Sequence, residues 1–277
     1  MGLRINTNMA AMSATRHLVK TNVDQAKSFQ KLASGQRITT AGDDAAGLST
    51  AENLRAQIRS MGEAEKNANN GVSLVQVAEG SMQEVGNIMI RLRELSVQAA
   101  SDTIGDKERS FINQEFQSLT QEVDRIANVT TFNGTPLLNG QAVKGELEFQ
   151  VGIRNDEKDR ITFNVGENDV RADALGIEGL SSESIEDARN AMDTLDEGLN
   201  RISAARARLG AMQNKLHSTV NNIAIAKENL TQARSRIADT DVAEESSALV
   251  KQNILQQAGV SVLAQANQSP VNALKLL

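Results

Sequence analysis

The stretch "SGQRITTAGDDAAGLS", Ser34 to Ser49, sets two adjacent carboxylates, Asp43 and Asp44, between Gly42 and Gly47, with Arg37 just upstream. Paired aspartates after a glycine suit two kinds of chemistry. They can hold a divalent cation in a metal-assisted transfer site. They can also cap the first turn of a helix, where a carboxylate accepts backbone N–H bonds and meets the positive end of the helix dipole. A metal site needs further carboxylate or imidazole ligands, and no other motif in the chain supplies them. "AAGLSTAENL" after Asp44 reads as the start of a long helix, with Asp43 or Asp44 as its cap and with Gly35 and Gly42 breaking the helix before it.

The remaining reactive inventory is thin. With no cysteine, disulfides, thiolate nucleophiles and zinc-thiolate sites are all excluded. His17 and His217 stand alone, without a companion at metal-ligand spacing. No catalytic, metal or cofactor residue is therefore assigned, and the chain reads as not an enzyme. A formal charge of −6 and only six aromatic residues, all Phe, argue against a nucleic-acid binder. Arg201, Arg206, Arg208, Arg234 and Arg236 are interleaved with Asp193, Asp196 and Glu197, which reads as a charged helix face. Asn128–Thr130 fits an N-glycosylation sequon.

The first 42 residues carry six cations against one acid, Asp24. A cationic amphipathic segment can lie on a membrane, but its apolar residues are small and dispersed, which favours a protein partner. No run has the length of a membrane span, and Arg4, Asn6, Asn8 and Arg16 interrupt any signal-peptide core.

The elements that would position these residues are mostly helices. Scarce rings with abundant Ala, Leu and charge favour long helices held by narrow seams. Ala188, Leu195, Ile202, Leu209, Leu216, Ile223, Leu230 and Ile237 recur at every seventh residue. Ile185, Met192, Leu199, Arg206, Gln213, Val220, Lys227 and Arg234 hold the companion position. That is a coiled-coil helix over about 184–236, which Ser182 or Ser184 could cap. A second helix is expected over about 45–100, with a stripe through Leu54, Ile58, Met61, Ala68, Val72, Val75, Met82, Val85, Ile88, Leu92, Leu95 and Ala99. A third, over about 106–129, carries Ile112, Phe116, Leu119, Val123 and Ile126. Three such stripes can close an elongated bundle.

A β-hairpin region is expected over about 130–178. "TTFNGTPLLNG" has turn chemistry. Leu147, Phe149, Val151 and Ile153 alternate with polar residues, as do Ile161, Phe163 and Val165.

At the N-terminal end a seam runs through Ile5, Met9, Met12, Val19, Val23, Ala26 and Ala33, with Leu18, Phe29 and Leu32 beside it. At the other end Leu249, Val250, Ile254, Leu255, Ala258, Val262 and Leu263, with Leu274, Leu276 and Leu277, make an apolar face too broad for one partner. The termini should pair with each other and also with other copies. The fold class is mainly α: a long antiparallel bundle of N- and C-terminal regions with a small β-hairpin region between. An assembly subunit and a coiled-coil adaptor are the two function classes this supports.

"INTNMAAMSATRHL", "KLASGQRITTAGDDAAGLSTAENLRAQI" and "NANNGVSLVQVAEG" resemble the N-terminal region of bacterial flagellins, and Ser235–Leu277 is similar to their C-terminus almost throughout. The resemblance implies a homopolymeric filament used for swimming, in which 1–43 and 237–277 form an inner domain lining a channel and 44–236 an outer rod. With about twenty residues between Val165 and the last long helix, the chain resembles a minimal form without variable outer domains. The resemblance also implies secretion through the flagellar type III apparatus to an extracellular filament and an export chaperone on roughly Val242–Leu277. Cap and hook–filament junction proteins are implied as further partners. It makes Arg37, Asp43 and Asp44 a connector with contacts within and between subunits. "IRLRELSVQAA" is similar to the segment sensed by an animal Toll-like receptor, with Arg91, Leu95 and Glu115 as contacts and Ile90 departing from the usual polar residue. No nucleic acid, membrane insertion or cofactor is implied.

Overall fold

The computed structural model describes residues 7–141 and 145–274, with side chains as far as residue 268. Ile5, Leu276 and Leu277, and the side chain of Leu274, lie outside the described residues. Two compact units emerge: one gathers residues up to Ile58 with those from Glu228 onward, and the other is Arg59–Lys227. The divisions fall inside two long helices.

In the first unit, α1 (Met9–Ser34) begins at Asn8, whose side chain accepts from the Ala11 N–H. It ends at Gly35, which takes φ 70° and donates to the Lys31 carbonyl. A residue with a Cβ would be strained in that left-handed cap. The second helix, α2, runs Ala45–Ala99. The long C-terminal helix stops at Ala238, and Asp241 starts the final helix, Val242–Leu274, by accepting from the Ala243 and Glu244 N–H groups.

In the second unit the core lies between the Arg59–Ala99 part of α2, α3 (Asp106–Val129) and the Ile185–Lys227 part of the long C-terminal helix. Along the last of these, Ala188, Leu195, Ile202, Leu209, Leu216 and Ile223 are buried, while the companion row from Ile185 to Lys227 is half-buried. The seven-residue repeat thus marks the core-facing edge of the helix. On α2 the buried row passes through Met89, with the expected Ile88 half-buried beside it. Ser184 is the cap of the long helix: its hydroxyl accepts from the Asp187 N–H at 3.0 Å and donates to the Asp187 carboxylate at 2.7 Å. Ser182, the other candidate, is fully buried.

The β region is two separate two-stranded antiparallel sheets. β1 (Thr131–Phe132) and β2 (Thr135–Pro136) join through Asn133-Gly134, with φ of 50° and 79°. Both values belong to the primed turn that matches strand twist. β3 (Glu146–Gln150) pairs with β4 (Arg160–Asn164), setting Leu147 opposite Phe163 and Phe149 opposite Ile161. The expected alternation holds as far as Val151, which is buried, and ends before Ile153, which is exposed. The Val151 and Gly152 N–H groups both bond to the Asp159 carbonyl, which closes the turn and leaves Ile153 outside the ladder. Twenty residues link β4 to the long helix, and they hold a 3-10 turn at Gly166–Asn168 and one turn of α-helix, α4 (Ala172–Leu175). In chain order the long C-terminal helix is therefore α5 (Ile185–Ala238) and the last is α6 (Val242–Leu274).

Side chains of α3 and α5 pin that linking segment. Asp124 accepts from the Ala172 N–H, Asn113 from the Ser182 N–H, and Gln117 donates to the Leu180 carbonyl. From α5, Arg201 donates to the Ala174 carbonyl and Arg208 to that of Glu167. Two of the arginines on the charged face of this helix thus donate to backbone carbonyls.

Candidate assembly and recognition surfaces

The paired terminal helices α1 and α6 present the largest apolar exposure. Their seam is not the row expected from sequence. Toward α6, α1 turns Ala11, Ala14, Leu18, Thr21, Gln25, Ser28 and Leu32, spaced alternately three and four apart. The α6 residues withdrawn from solvent include Glu245, Leu249, Asn253, Gln256, Gly259, Leu263 and Ala266. Asn8 donates to the Ala266 carbonyl at 2.8 Å, Gln25 to Asn253 at 2.5 Å, and Lys31 reaches Glu245 at 3.7 Å. These partners run antiparallel. Met9 is 64 % exposed, Val19 58 % and Val23 50 %. On α6, Val250, Ile254, Leu255 and Val262 are also exposed. Leu249 and Leu263, expected on the association face, are half-buried and serve the pairing with α1 instead. The inversion has a physical basis: small and polar side chains set a close helix spacing, Leu18, Leu32, Leu249 and Leu263 fill the apolar part of the seam, and a second apolar row on each helix is left facing outward.

The Arg37–Asp44 turn lies in the same unit. Arg37 donates from its backbone N–H to the Ala238 carbonyl and from its guanidinium to the Ile237 carbonyl, both at 2.7 Å. With the Thr240 N–H bonded to the Gly35 carbonyl, this ties the turn to the break between α5 and α6. The two aspartates divide the labour. The Asp44 carboxylate accepts from the Gly47 N–H at 2.9 Å and is the cap of α2. Asp43 accepts four bonds, from the N–H and hydroxyl of Thr39 and of Thr40. Chiefly the Thr40 N–H, then the two hydroxyls, hold its pKa below the ordinary value. Both carboxylates are thus committed to N–H and O–H donors, an arrangement with closed turns and not converging ligands. Among the described residues no group of three or more His, Asp or Glu is placed to hold a metal ion, and no helix is long and apolar enough to cross a membrane. His17 and His217 are both exposed.

In the second unit, Arg91 and Glu115 form one ion pair between α2 and α3. The Arg91 Nε and Nη2 both donate to Glu115 Oε1, at 3.0 and 2.8 Å, and Nη1 donates to Glu94 at 3.2 Å. Both side chains stay about half exposed, and Glu115 above all raises the Arg91 pKa. Leu95 does not join them on the surface. It is 1 % exposed, in the core row that includes Leu92 and Ala99. Its side chain packs beneath the surface that carries Arg91. Two residues further along, on another face of α2, Arg93 binds Asp196 of α5 through two bonds, at 2.6 and 3.2 Å. This interaction raises the arginine pKa and lowers the aspartate's.

Sequence reading missed Arg109. Its side chain is buried at the start of α3 and donates to the Ala99, Ile104 and Ser101 carbonyls and to Asp106. A cation in the first turn of a helix opposes the helix dipole, and that was the available signal that it serves something else.

Comparison with known proteins matches residues 5–143 to the bacterial flagellin N-terminal helical region and 192–277 to the bacterial flagellin C-terminal helical region. A flagellar filament 31.3 kDa core protein of Treponema maltophilum is 42 % identical over 99 % of both chains. A Bacillus subtilis flagellin is 42 % identical over 99 % of this chain and 100 % of its own. The crystal structure of a Bacillus cereus flagellin is similar with a TM-score of 0.51 at 25 % identity, over 57 % of this chain and 88 % of that one. With both terminal regions matched and full-length relatives aligned end to end, the chain belongs to the bacterial flagellins, structural proteins of the extracellular flagellar filament and not enzymes.

Proposed function

We propose that copies of this chain polymerise through the outward rows of α1 and α6, with Met9, Val19, Val23, Val250, Ile254, Leu255 and Val262 as the buried contacts between subunits. The observation that carries this is the seam itself: the two helices pack rows of mixed small, polar and leucine side chains against each other and leave a second apolar row on each exposed. A helix pair with that much apolar surface facing water is an association surface. In this reading the paired termini line the filament channel, residues 44–236 form the shell around it, and the polymer drives swimming. The Arg37–Asp44 turn, with its ties to Ile237 and Ala238, is the connector whose small shifts tune filament shape. Before assembly the chain leaves the cell through the flagellar type III apparatus, with a cytosolic chaperone over α6. The cap and hook–filament junction proteins contact the polymer ends.

A second reading is favoured by the exposed Arg91–Glu115 pair, which presents a fixed charge pattern across two helices. We infer that this pair is a contact for an animal Toll-like receptor, with Leu95 holding α2 in place below it.

The test of the first reading is seeded growth. Purified chain added to filament fragments should elongate them into long tubes visible by negative-stain electron microscopy. A chain that remains a discrete dimer or tetramer at high concentration would contradict it.

A further inference from the structure

The seam between α1 and α6 contains a notch. Gly259 on α6 faces Leu18 on α1, and a Cβ at position 259 would stand 2.9 Å from Leu18 Cδ2 and 3.1 Å from Cγ. Such spacing leaves no room for any side chain unless Leu18 moves. Leu18 is half-buried on a packed row that is otherwise largely small or polar. On either side of the notch, the Gln25–Asn253 bond and the bond from Asn8 to the Ala266 carbonyl belong to the same antiparallel pairing.

We propose that Leu18 and Gly259 form a size-matched lock that, with Gln25–Asn253, specifies the register in which α1 pairs with α6. The alternatives show why a code is required. If one helix slips by seven residues, Leu18 meets Gln252 or Ala266, each of which has the Cβ that Gly259 lacks. Gly259 then faces Gln25 or Ala11, leaving a gap where the leucine had been. The half-buried amides of Gln25 and Asn253 lose each other at the same time, which gives up one hydrogen bond of the observed register. The outward apolar rows cannot make this choice, because Val, Ile, Leu and Met pack interchangeably at many registers. The seam therefore supplies specificity and the outer rows supply adhesion. Gly259 is a specificity-determining residue on the strength of the space it leaves. This deepens the assembly reading, but its test reads register independently of polymer growth.

The chain has no cysteine, so an engineered pair reports cleanly. Thr21→Cys with Gln256→Cys places thiols at positions that face each other in the observed register and not in the slipped ones. The full chain carrying this pair is oxidised in solution and after addition to filament seeds, and disulfide yield is read on non-reducing denaturing gels. The reference protein should cross-link within the chain. Adding Gly259→Val should lower the in-register yield roughly tenfold, the scale of an overpacked contact, and Leu18→Ala in that background should restore it. Circular dichroism of the rest of the chain should not change. Two results would overturn the lock: Gly259→Val cross-linking like the reference, or Leu18→Ala failing to restore the yield. A chain that cross-links in register yet does not elongate seeds would refute assembly and leave the lock standing. Tubes that lack the in-register disulfide would do the reverse.

Discussion

Arg109 offers a quantitative test of how α2 is joined to α3. At the end of α2 the Ala99 carbonyl has no helical partner ahead of it, and the following loop adds those of Ser101 and Ile104. One buried guanidinium serves all three: Nε reaches Ala99 at 2.9 Å, and Nη2 reaches Ile104 at 3.0 Å and Ser101 at 3.4 Å. The 3.4 Å contact contributes little, while the two shorter ones are charge-assisted and worth about 1.5–3 kcal/mol each. Some of that returns when water reaches the exposed side of the loop. Arg109→Met keeps the stem's packing and should therefore cost about 3 kcal/mol. The fourth partner behaves differently. The Asp106 side chain is fully exposed, so Asp106→Asn should leave stability unchanged even though its 2.9 Å bond is short. With no Trp or Tyr in the chain, urea unfolding is best followed by far-UV circular dichroism. Hydrogen exchange then reports the last turn of α2 separately. Unfolding of Arg109→Met within about 0.5 kcal/mol of the parent, the range of an ordinary surface change, would refute the reasoning. So would an Asp106→Asn variant as unstable as Arg109→Met.

Ser184→Ala removes the cap of α5 and should destabilise the Arg59–Lys227 unit by about 1 kcal/mol in the same urea experiment, whereas Ser182→Ala removes no capping bond. For Asp43, the four donors favour the charged form, so its folded pKa lies below its unfolded value. Its contribution is intact above the unfolded value and is lost as pH falls through the folded one. A carboxyl-carbon NMR titration should therefore place Asp43 below the ordinary 3.8, with the Thr39–Asp43 turn opening only in stronger acid; an ordinary midpoint would contradict the four-bond geometry. Arg91→Ala with Glu115→Ala should reduce receptor activation by monomer while leaving urea stability nearly unchanged. Leu95→Ala should instead cost about 2–5 kcal/mol, as for a buried leucine.

The long elements were legible because their signals repeat. Six heptads of α5 from Ala188 to Ile223 each bury the same position, and no single substitution in such a run could disguise it. The edges of α3 were legible from a turn-rich sequence on its C-terminal side and an acidic first turn, Asp106 and Glu108. Where periodicity identifies two competing faces, it cannot say which one the partner takes. In α1 the Met9–Val19–Val23 row is the more apolar, yet the chain packs the Ala11–Leu18–Gln25 row, because polar complementarity to Asn253 and the missing Cβ of Gly259 lie far away in sequence. The connections were less legible still. Nothing in α3 alone announces that Asn113, Gln117 and Asp124 anchor backbone groups some 48 to 69 residues later. For the Asp43–Asp44 pair, residue types allowed a metal site, and bond partners distinguished one aspartate as a turn brace and the other as a helix cap.

Assembly by the outward face of α6 is tested by Val250→Ser combined with Ile254→Ser. Both side chains are exposed and neither takes part in the α1 seam, so unfolding of the Arg59–Lys227 unit should not change. If these residues become buried between copies, each contributes about 1.5–3 kcal/mol. The protein concentration needed to elongate seeds should then rise roughly 100-fold or more. Seeded elongation followed by electron microscopy and sedimentation measures that threshold. A threshold equal to that of the unaltered chain would mean that the exposed rows of the terminal helices do not hold the filament together.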